Sequence, residues 1–254
     1  MPTHPDLNAP APDLNGAYAL VTGASRGIGA AMAKALAEAG AHVLALARTV
    51  GGLEELDDEI RAAGGKCSLI PADLTEPEAI ERLGPALLER FGRLDILLAN
   101  AGDLGELAPL TDIDPEVWAR ALDVNVTANW RLIRTLDPAL RASAAGRVIF
   151  MTSRVGGEEP RAFWGAYAVS KAAMEMLAQT YAEETAASDI RVAIVDPGAM
   201  RTRMRAKAMP GEDPKTLPDP SELAPLVLYA ASEDYDGRAE RLAFRDWKTE
   251  NASS

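Results

Sequence analysis

Two side chains that could pass a proton between them stand four residues apart in the stretch WGAYAVSKAAM, Trp164 to Met174: Tyr167 and Lys171. In a helix, positions i and i+4 share one face about 6 Å apart along the axis, so a phenol and an ammonium at this spacing meet. A phenol loses its proton at about pH 10, and an ammonium beside it favours the phenolate, so the pair predicts a lowered pKa at Tyr167 and a usable general acid or base. The same spacing also fits a solvated pair on a surface helix, because structural ion pairs perturb pKa values too. Other residues must decide between the two.

A second constellation is TGASRGIG, Thr22 to Gly29, at the end of an apolar run. Gly23, Gly27 and Gly29 permit a tight turn and close approach of backbone to a pyrophosphate, which then sits on the N-terminus of the helix that begins there. Ser25, Arg26 and Ile28 belong to the same loop. A dinucleotide site would next need a group for the second ribose, an acid for a 2′-hydroxyl or an arginine for a 2′-phosphate. Residues 41–53, AHVLALARTVGGL, contain no acid but do contain Arg48 and Thr49, and Arg26 could reach the same phosphate. Arginine's preference for phosphate therefore points to NADP(H) over NAD(H). The loop also reads G-x-S-x-G around Ser25, the string of a hydrolase nucleophile elbow. That reading requires an acid and then a histidine downstream, and the one later histidine, His42, opens the second apolar run.

These residues need a scaffold that brings them to one edge. Short apolar runs at 17–22, 42–47, 67–72, 94–99, 147–152, 190–195 and, more weakly, 241–246 alternate with helical patterns such as 29–40, 77–92, 115–140 and 166–186. The runs are apolar throughout, as strands covered on both faces are, and the βαβα order predicts a parallel sheet with right-handed crossovers. The expected fold is α/β, a doubly wound parallel sheet with helices on both faces, forming one domain over residues 16–254. Residues 1–15, with four prolines in the first twelve, are expected to be a flexible leader. The irregular, proline-bearing segment 199–220 is expected to be a lid.

Composition narrows the partners. Of 254 residues, 48% are apolar and 25% charged, as in a globular protein, and the formal net charge of −12 repels nucleic acid. No apolar run is long enough to span a bilayer. One cysteine, Cys67, excludes an internal disulfide, from which a cytoplasmic location is expected. With two histidines in the chain, no zinc site can be assembled from soft ligands, and no carboxylate motif suggests another metal.

Together, TGASRGIG, Asp73-Leu74, Asn100-Ala101-Gly102, Asn125, Ser153, Tyr167-x-x-x-Lys171 and Pro197-Gly198 followed by Thr202 resemble the short-chain dehydrogenase/reductase family over about residues 15 to 235. Segments such as NAGDLGELAPL and FWGAYAVSK further resemble its bacterial YciK-like oxidoreductases. The resemblance implies a seven-stranded Rossmann fold and an NADP(H)-dependent oxidoreductase acting on a carbonyl/alcohol pair. It implies that Tyr167 is the general acid or base, that Lys171 lowers its pKa and holds the nicotinamide ribose, and that Ser153 orients the substrate oxygen. Asn125 would anchor a water that returns protons to Lys171. Asp73 and Leu74 would flank adenine, Asn100, Ala101 and Gly102 the adenine-side ribose, and Pro197, Gly198 and Thr202 the nicotinamide. A homodimer or homotetramer through the helices around 115–140 and 163–186 is also implied. Two departures stand out: Ala99 replaces the first asparagine of the usual N-N-A-G, and the tail lacks the usual D-G-G ending. Arg201, Arg203, Arg205 and Lys207 make the lid basic, which fits attraction of an anionic substrate or, equally, a solvated basic helix face; Phe163, Trp164, Met200 and Leu104 fit an apolar wall or core packing. The alternative function is a dinucleotide-binding regulator or scaffold without turnover, to which a tuned phenol would be of no use.

Overall fold

Seven short strands, each apolar enough to be covered on both faces, form the centre of the molecule. The computed structural model describes residues 10–157 and 159–251. The strands are β1 (Tyr18–Thr22), β2 (His42–Ala47), β3 (Lys66–Pro71), β4 (Ile96–Ala99), β5 (Arg147–Met151), β6 (Arg191–Asp196) and β7 (Arg238–Ala243). They lie in the order β3-β2-β1-β4-β5-β6-β7, and every neighbouring pair is parallel. The chain winds outward in one direction from β1 and in the other from β4. All strands therefore end on one edge, and the crevice between β1 and β4 is the switch point where such sheets bind ligands.

The helices are α1 (Gly27–Glu38), α2 (Val50–Ala62), α3 (Pro77–Glu81), α4 (Leu83–Phe91), α5 (Pro115–Leu122), α6 (Ala128–Arg141), α7 (Gly165–Glu184), α8 (Arg203–Ala208), α9 (Ala224–Ala231) and α10 (Phe244–Asn251). Successive strand residues feed opposite cores. Val21, Val43, Leu98 and Ile149 pack against α1, α2, α9 and α10, through side chains such as Met32, Leu53, Val227 and Trp247. Leu20, Leu44, Leu97 and Val148 pack against α4, α6 and α7, through Leu87, Leu136 and Met174. The helical runs thus cover both faces as the pattern predicts. No described helix is long and apolar enough to cross a membrane.

Four local features depart from the expected elements. The helix expected over 77–92 breaks at Arg82, because Pro85 has no N–H to donate to the preceding turn and its ring crowds the carbonyl there. Its second half, α4, approaches α6 so closely that a Cβ on Gly84 would overlap the carbonyl of Thr135. The last strand lies three residues earlier than the 241–246 run, so that Phe244 begins α10 instead of continuing the strand. Segment 199–220 is only partly irregular, since it contains α8. The expected leader lies, up to residue 9, outside the described residues. From Leu14 the chain is tied down: its N–H donates to Ala39 O at 2.8 Å, and its side chain is buried.

Between α5 and α6 the backbone widens into a single π-type turn over Asp123–Thr127. Such a bulge inserts a residue into a helix and re-aims its neighbours, often at functional sites. Here it carries Asn125, whose side chain is fully buried.

Candidate active site

Every site residue picked out in the sequence that follows a strand lies at the same edge of the sheet. Gly23 follows β1, Arg48 β2, Asp73 β3, Asn100 β4, Ser153 β5 and Pro197 β6. Gly23 and Gly27 adopt left-handed backbone, with φ of +67° and +57°, which glycine adopts without steric cost. The Gly29 position leaves no room for a Cβ, which would stand 2.6 Å from Asn100 Nδ2. Asn100 is a structural tie as well: its Nδ2 donates to Thr22 O at 2.9 Å, and the N–H groups of Asn100 and Ala101 both donate to Thr22 Oγ1 at 3.0 Å. The ends of β1 and β4 are thereby pinned where the glycine turn begins. Across the cleft, Thr202 Cγ2 stands 3.5 Å from where a Cβ on Gly27 would be. The glycine loop and the segment after Pro197 thus form facing walls.

A cavity of about 750 Å³ opens between them, lined by Ile28, Ser153, Tyr167, Pro197, Gly198 and Thr202 among others. Leu104, Trp164 and Met200 join its wall, as expected. Phe163 does not: it is 57% exposed and holds a φ of +73°, a conformation costly for a bulky side chain. Arg48, Thr49, Asp73 and Leu74 lie outside the cavity, beyond β2 and β3, where Arg48 Nη1 pairs with Asp73 Oδ2 at 3.4 Å on the surface. Arg26, beside Ser25 in the glycine loop, is exposed at the start of α1.

Tyr167 and Lys171 are buried on α7, with the lysine Nζ 5.7 Å from the centroid of the phenol ring. The ammonium thus faces the ring, and it donates to Met151 O at 2.7 Å. The expected lowering of the Tyr167 pKa is not what the protein alone produces. Burial, reinforced by the Asp196 carboxylate, pushes the phenol up to about 12, while a hydrogen bond with Ser153 pulls the other way. Burial also brings Lys171 down to about 8, partly opposed by Glu175 and Asp196. In both groups desolvation of the charged form is the largest cause.

Asn125 is held from several sides by the protein itself. Its Oδ1 accepts the Asp103 N–H at 2.7 Å, and its Nδ2 donates to Asp103 O and to Ser170 Oγ, both at 2.8 Å. Its carbonyl accepts from Asn129 Nδ2 at 2.8 Å. Both amide donors are used inside the protein, where they fasten the loop after β4 to α7. Gly102 separates this amide from the lysine: a Cβ there would lie 3.4 Å from Asn125 Oδ1 and 3.6 Å from Lys171 Nζ.

Two of the four cations of the basic lid are paired with acids. Arg201 pairs with Asp219 at 2.6 Å, Arg205 with Glu212 through two contacts of 2.5 and 2.6 Å, and Lys207 donates to Gly105 O at 3.0 Å. Arg203 is exposed on α8. The nucleophile-elbow reading fails on geometry, since His42 Nε2 sits 2.9 Å from Ser68 Oγ at the opposite end of the strands from Ser25. Glu175 and Asp196, both able to act on Lys171, were not picked out in the sequence. Their signals were local: Glu175 follows Lys171 by one helical turn, and Asp196 immediately precedes Pro197.

Comparison with known proteins agrees with this fold. The family model described as short chain dehydrogenase matches residues 17–213. The oxidoreductase YciK of Escherichia coli (strain K12) is 38% identical over 224 residues, which cover 87% of this chain and 88% of that protein. A short chain dehydrogenase from Pseudomonas syringae superimposes with a TM-score of 0.90 at 39% identity, covering 95% of this chain and 99% of that one. A short chain dehydrogenase from Escherichia coli CFT073, complexed with NADPH, gives a TM-score of 0.87 at 36% identity, with 92% and 99% covered.

Proposed function

Because the chain belongs to the short-chain dehydrogenase family, we propose that it is an NADP(H)-dependent oxidoreductase that interconverts a carbonyl and an alcohol. The observation that carries this reading is the convergence of Ser153 and Tyr167 on one cavity, with Lys171 behind them and the glycine loop opposite. A dinucleotide fits the residues present. The missing Cβ at Gly29 lets the first turn of α1 pack against Gly23 and Asn100, and the N-terminus of α1, which no side chain caps, offers its N–H groups to a pyrophosphate. Arg48, Thr49 and Arg26 would hold the 2′-phosphate, and the NADPH complex of the Escherichia coli CFT073 relative supports that choice. Asp73 and Leu74 would flank adenine, Asn100 to Gly102 its ribose, and Pro197, Gly198 and Thr202 the nicotinamide.

When bound, NADP(H) supplies or accepts the hydride. Ser153 donates a hydrogen bond to the substrate oxygen and fixes its position, an interaction that tightens as negative charge grows there. Tyr167, kept protonated by its burial, gives its proton to that oxygen during reduction and takes one back in the reverse direction. Lys171 holds the ribose hydroxyls and, as an ammonium beneath the phenol ring, favours the phenolate left after proton transfer. Asn125 positions Lys171 by locking the loop after β4 against α7. The exposed Trp130 on α6 and Val169 and Met176 on α7 support self-association through these helices.

The test is oxidation of NADPH by a panel of aldehydes and ketones, with wild type beside Tyr167→Phe. Turnover in the wild type that falls at least about 100-fold in the variant, with NADPH binding intact, supports the reading. Equal rates in both proteins overturn it.

A further inference from the structure

The last strand, just before the tail that lacks the D-G-G ending, contributes a charged side chain near the catalytic group. Arg241, on β7, points its Nη1 at both oxygens of Glu175, 3.1 and 3.2 Å away, and its Nη2 at Asp196 Oδ2, 3.0 Å away. Each acid then grips a part of the site. Glu175 Oε1 accepts a short hydrogen bond from the hydroxyl of Thr152, the residue before Ser153. Asp196 Oδ1 accepts the Gly198 N–H at 2.9 Å, which fixes the turn after β6. The loop after β5 lies directly over this cluster: a Cβ on Gly157 would stand 3.4 Å from Arg241 Nη1, and one on Gly156 only 2.7 Å from Lys171 Cβ. Asp196 is 2% exposed and lines the same cavity as Tyr167.

We propose that Arg241 and Asp196 are positioning residues, a guanidinium clamp that holds the ends of β5 and β6 and the Lys171 face of α7 in one arrangement and sets the charge under the catalytic pair. The proposal rests on the oxidoreductase reading above. A bidentate arginine suits the task because its rigid planar fork directs separate N–H groups at two carboxylates, whereas an ammonium is a point charge with rotatable donors. Without it, two largely buried carboxylates would face the site with reduced compensation, a strongly unfavourable arrangement. The charged groups around Asp196 are Arg241 from β7, Arg154 from the loop after β5, with Nε 3.9 Å from Asp196 Oδ2, and Glu175, Lys171 and Tyr167 from α7.

The clamp makes a signed prediction. Asp196→Asn keeps an oxygen for Gly198 N–H but removes a negative charge, so Lys171 loses its proton more readily and Tyr167 ionises more readily. Arg241→Met removes a positive charge and moves both groups the other way. The experiment measures the NADPH dissociation constant by fluorescence and kcat for carbonyl reduction across pH 6–10 or so, with thermal melts as a folding control. The alkaline loss of NADPH affinity is expected to move down by about one pH unit in Asp196→Asn and up in Arg241→Met. The double variant should lie between them, and Arg241→Lys should recover part of kcat. Profiles that superimpose on wild type in every variant, in folded protein, overturn the proposal, since a merely structural clamp would not move them in opposite directions. The binding readout separates the two readings: opposite shifts without turnover on any carbonyl would sink the oxidoreductase reading and leave the clamp standing.

Discussion

Replacing Gly29 by alanine adds one methyl group at the closest approach in the dinucleotide loop. That carbon would stand 2.6 Å from Asn100 Nδ2 and 2.8 Å from the carbonyl carbon of Gly23, and closer still to the Gly23 oxygen. Neither neighbour can yield cheaply. Asn100 Nδ2 is bonded to Thr22 O at 2.9 Å, and Gly23 is held in its left-handed turn. Alanine gains about 1 kcal/mol over glycine within a helix, which works against the clash. Overpacking typically costs about 1–3 kcal/mol, and obstruction by backbone lies at or beyond the upper end of that range. The expected net loss is about 2 kcal/mol. If it is spent in opening the loop, the NADPH dissociation constant rises roughly 30-fold. If it is spread through the fold, Tm falls by about 4–8 °C. Fluorescence titration and a thermal melt on the same sample distinguish the two. Gly51, inside α2 with nothing within 4 Å of its would-be Cβ, is the control. Gly51→Ala should leave affinity unchanged and raise stability by at most about 1 kcal/mol. A Gly29→Ala protein with wild-type affinity and wild-type Tm would refute the argument from close approach.

The ionisation of Lys171 gives a prediction for pH. With its pKa brought down to about 8 by burial, the ammonium is present below that pH and lost above it, whereas Tyr167 stays protonated to about 12. NADPH affinity and carbonyl reduction should both fall as pH rises through about 8; a first loss only above about pH 10 would contradict the assignment to Lys171. Arg48→Leu should weaken NADPH binding by about 10- to 100-fold and leave NADH unchanged, as removal of a charged hydrogen bond does, and equal effects on both cofactors in a paired titration would remove Arg48 from the 2′-phosphate. Trp247, 1% exposed, anchors α10 beneath the sheet. Trp247→Ala should cost about 3–5 kcal/mol and lower Tm by about 6–20 °C, and a fall under about 2 °C would show that α10 is not part of the cooperative core.

What could be read from the sequence was whatever is dictated by neighbours along the chain. The glycine loop, the Tyr167–Lys171 pair and the alternation of strands with helices follow from spacing and periodicity, and the parallel sheet forms as expected. The ionisation of the pair did not follow, because burial acts through three-dimensional packing, and together with the Asp196 carboxylate it outweighs the hydrogen bond from Ser153. The clamp was hidden for a similar reason: Arg241 lies 66 positions from Glu175 and 45 from Asp196, and only the adjacency of β6 and β7 unites them. The register of β7 was misplaced because Arg238–Ala243 is an edge strand with exposed polar residues, while the apolar run Leu242-Ala243-Phe244 straddles its end and the start of α10. The lid's arginines looked available because their acids, Asp219 and Glu212, lie farther along the loop and fold back onto them.

The central claim is transfer of hydride to a carbonyl carbon under control of Tyr167. Its most direct test supplies NADPH deuterated at the nicotinamide C4 to wild type and Tyr167→Phe with a reducible carbonyl, and reads the alcohol product by mass spectrometry. The account predicts one deuterium on the carbinol carbon with wild type, in a single stereochemical sense, and product reduced to near background with the variant. NADPH bound tightly, with no deuterium delivered to any carbonyl offered, would contradict it and would leave a dinucleotide-binding protein without turnover.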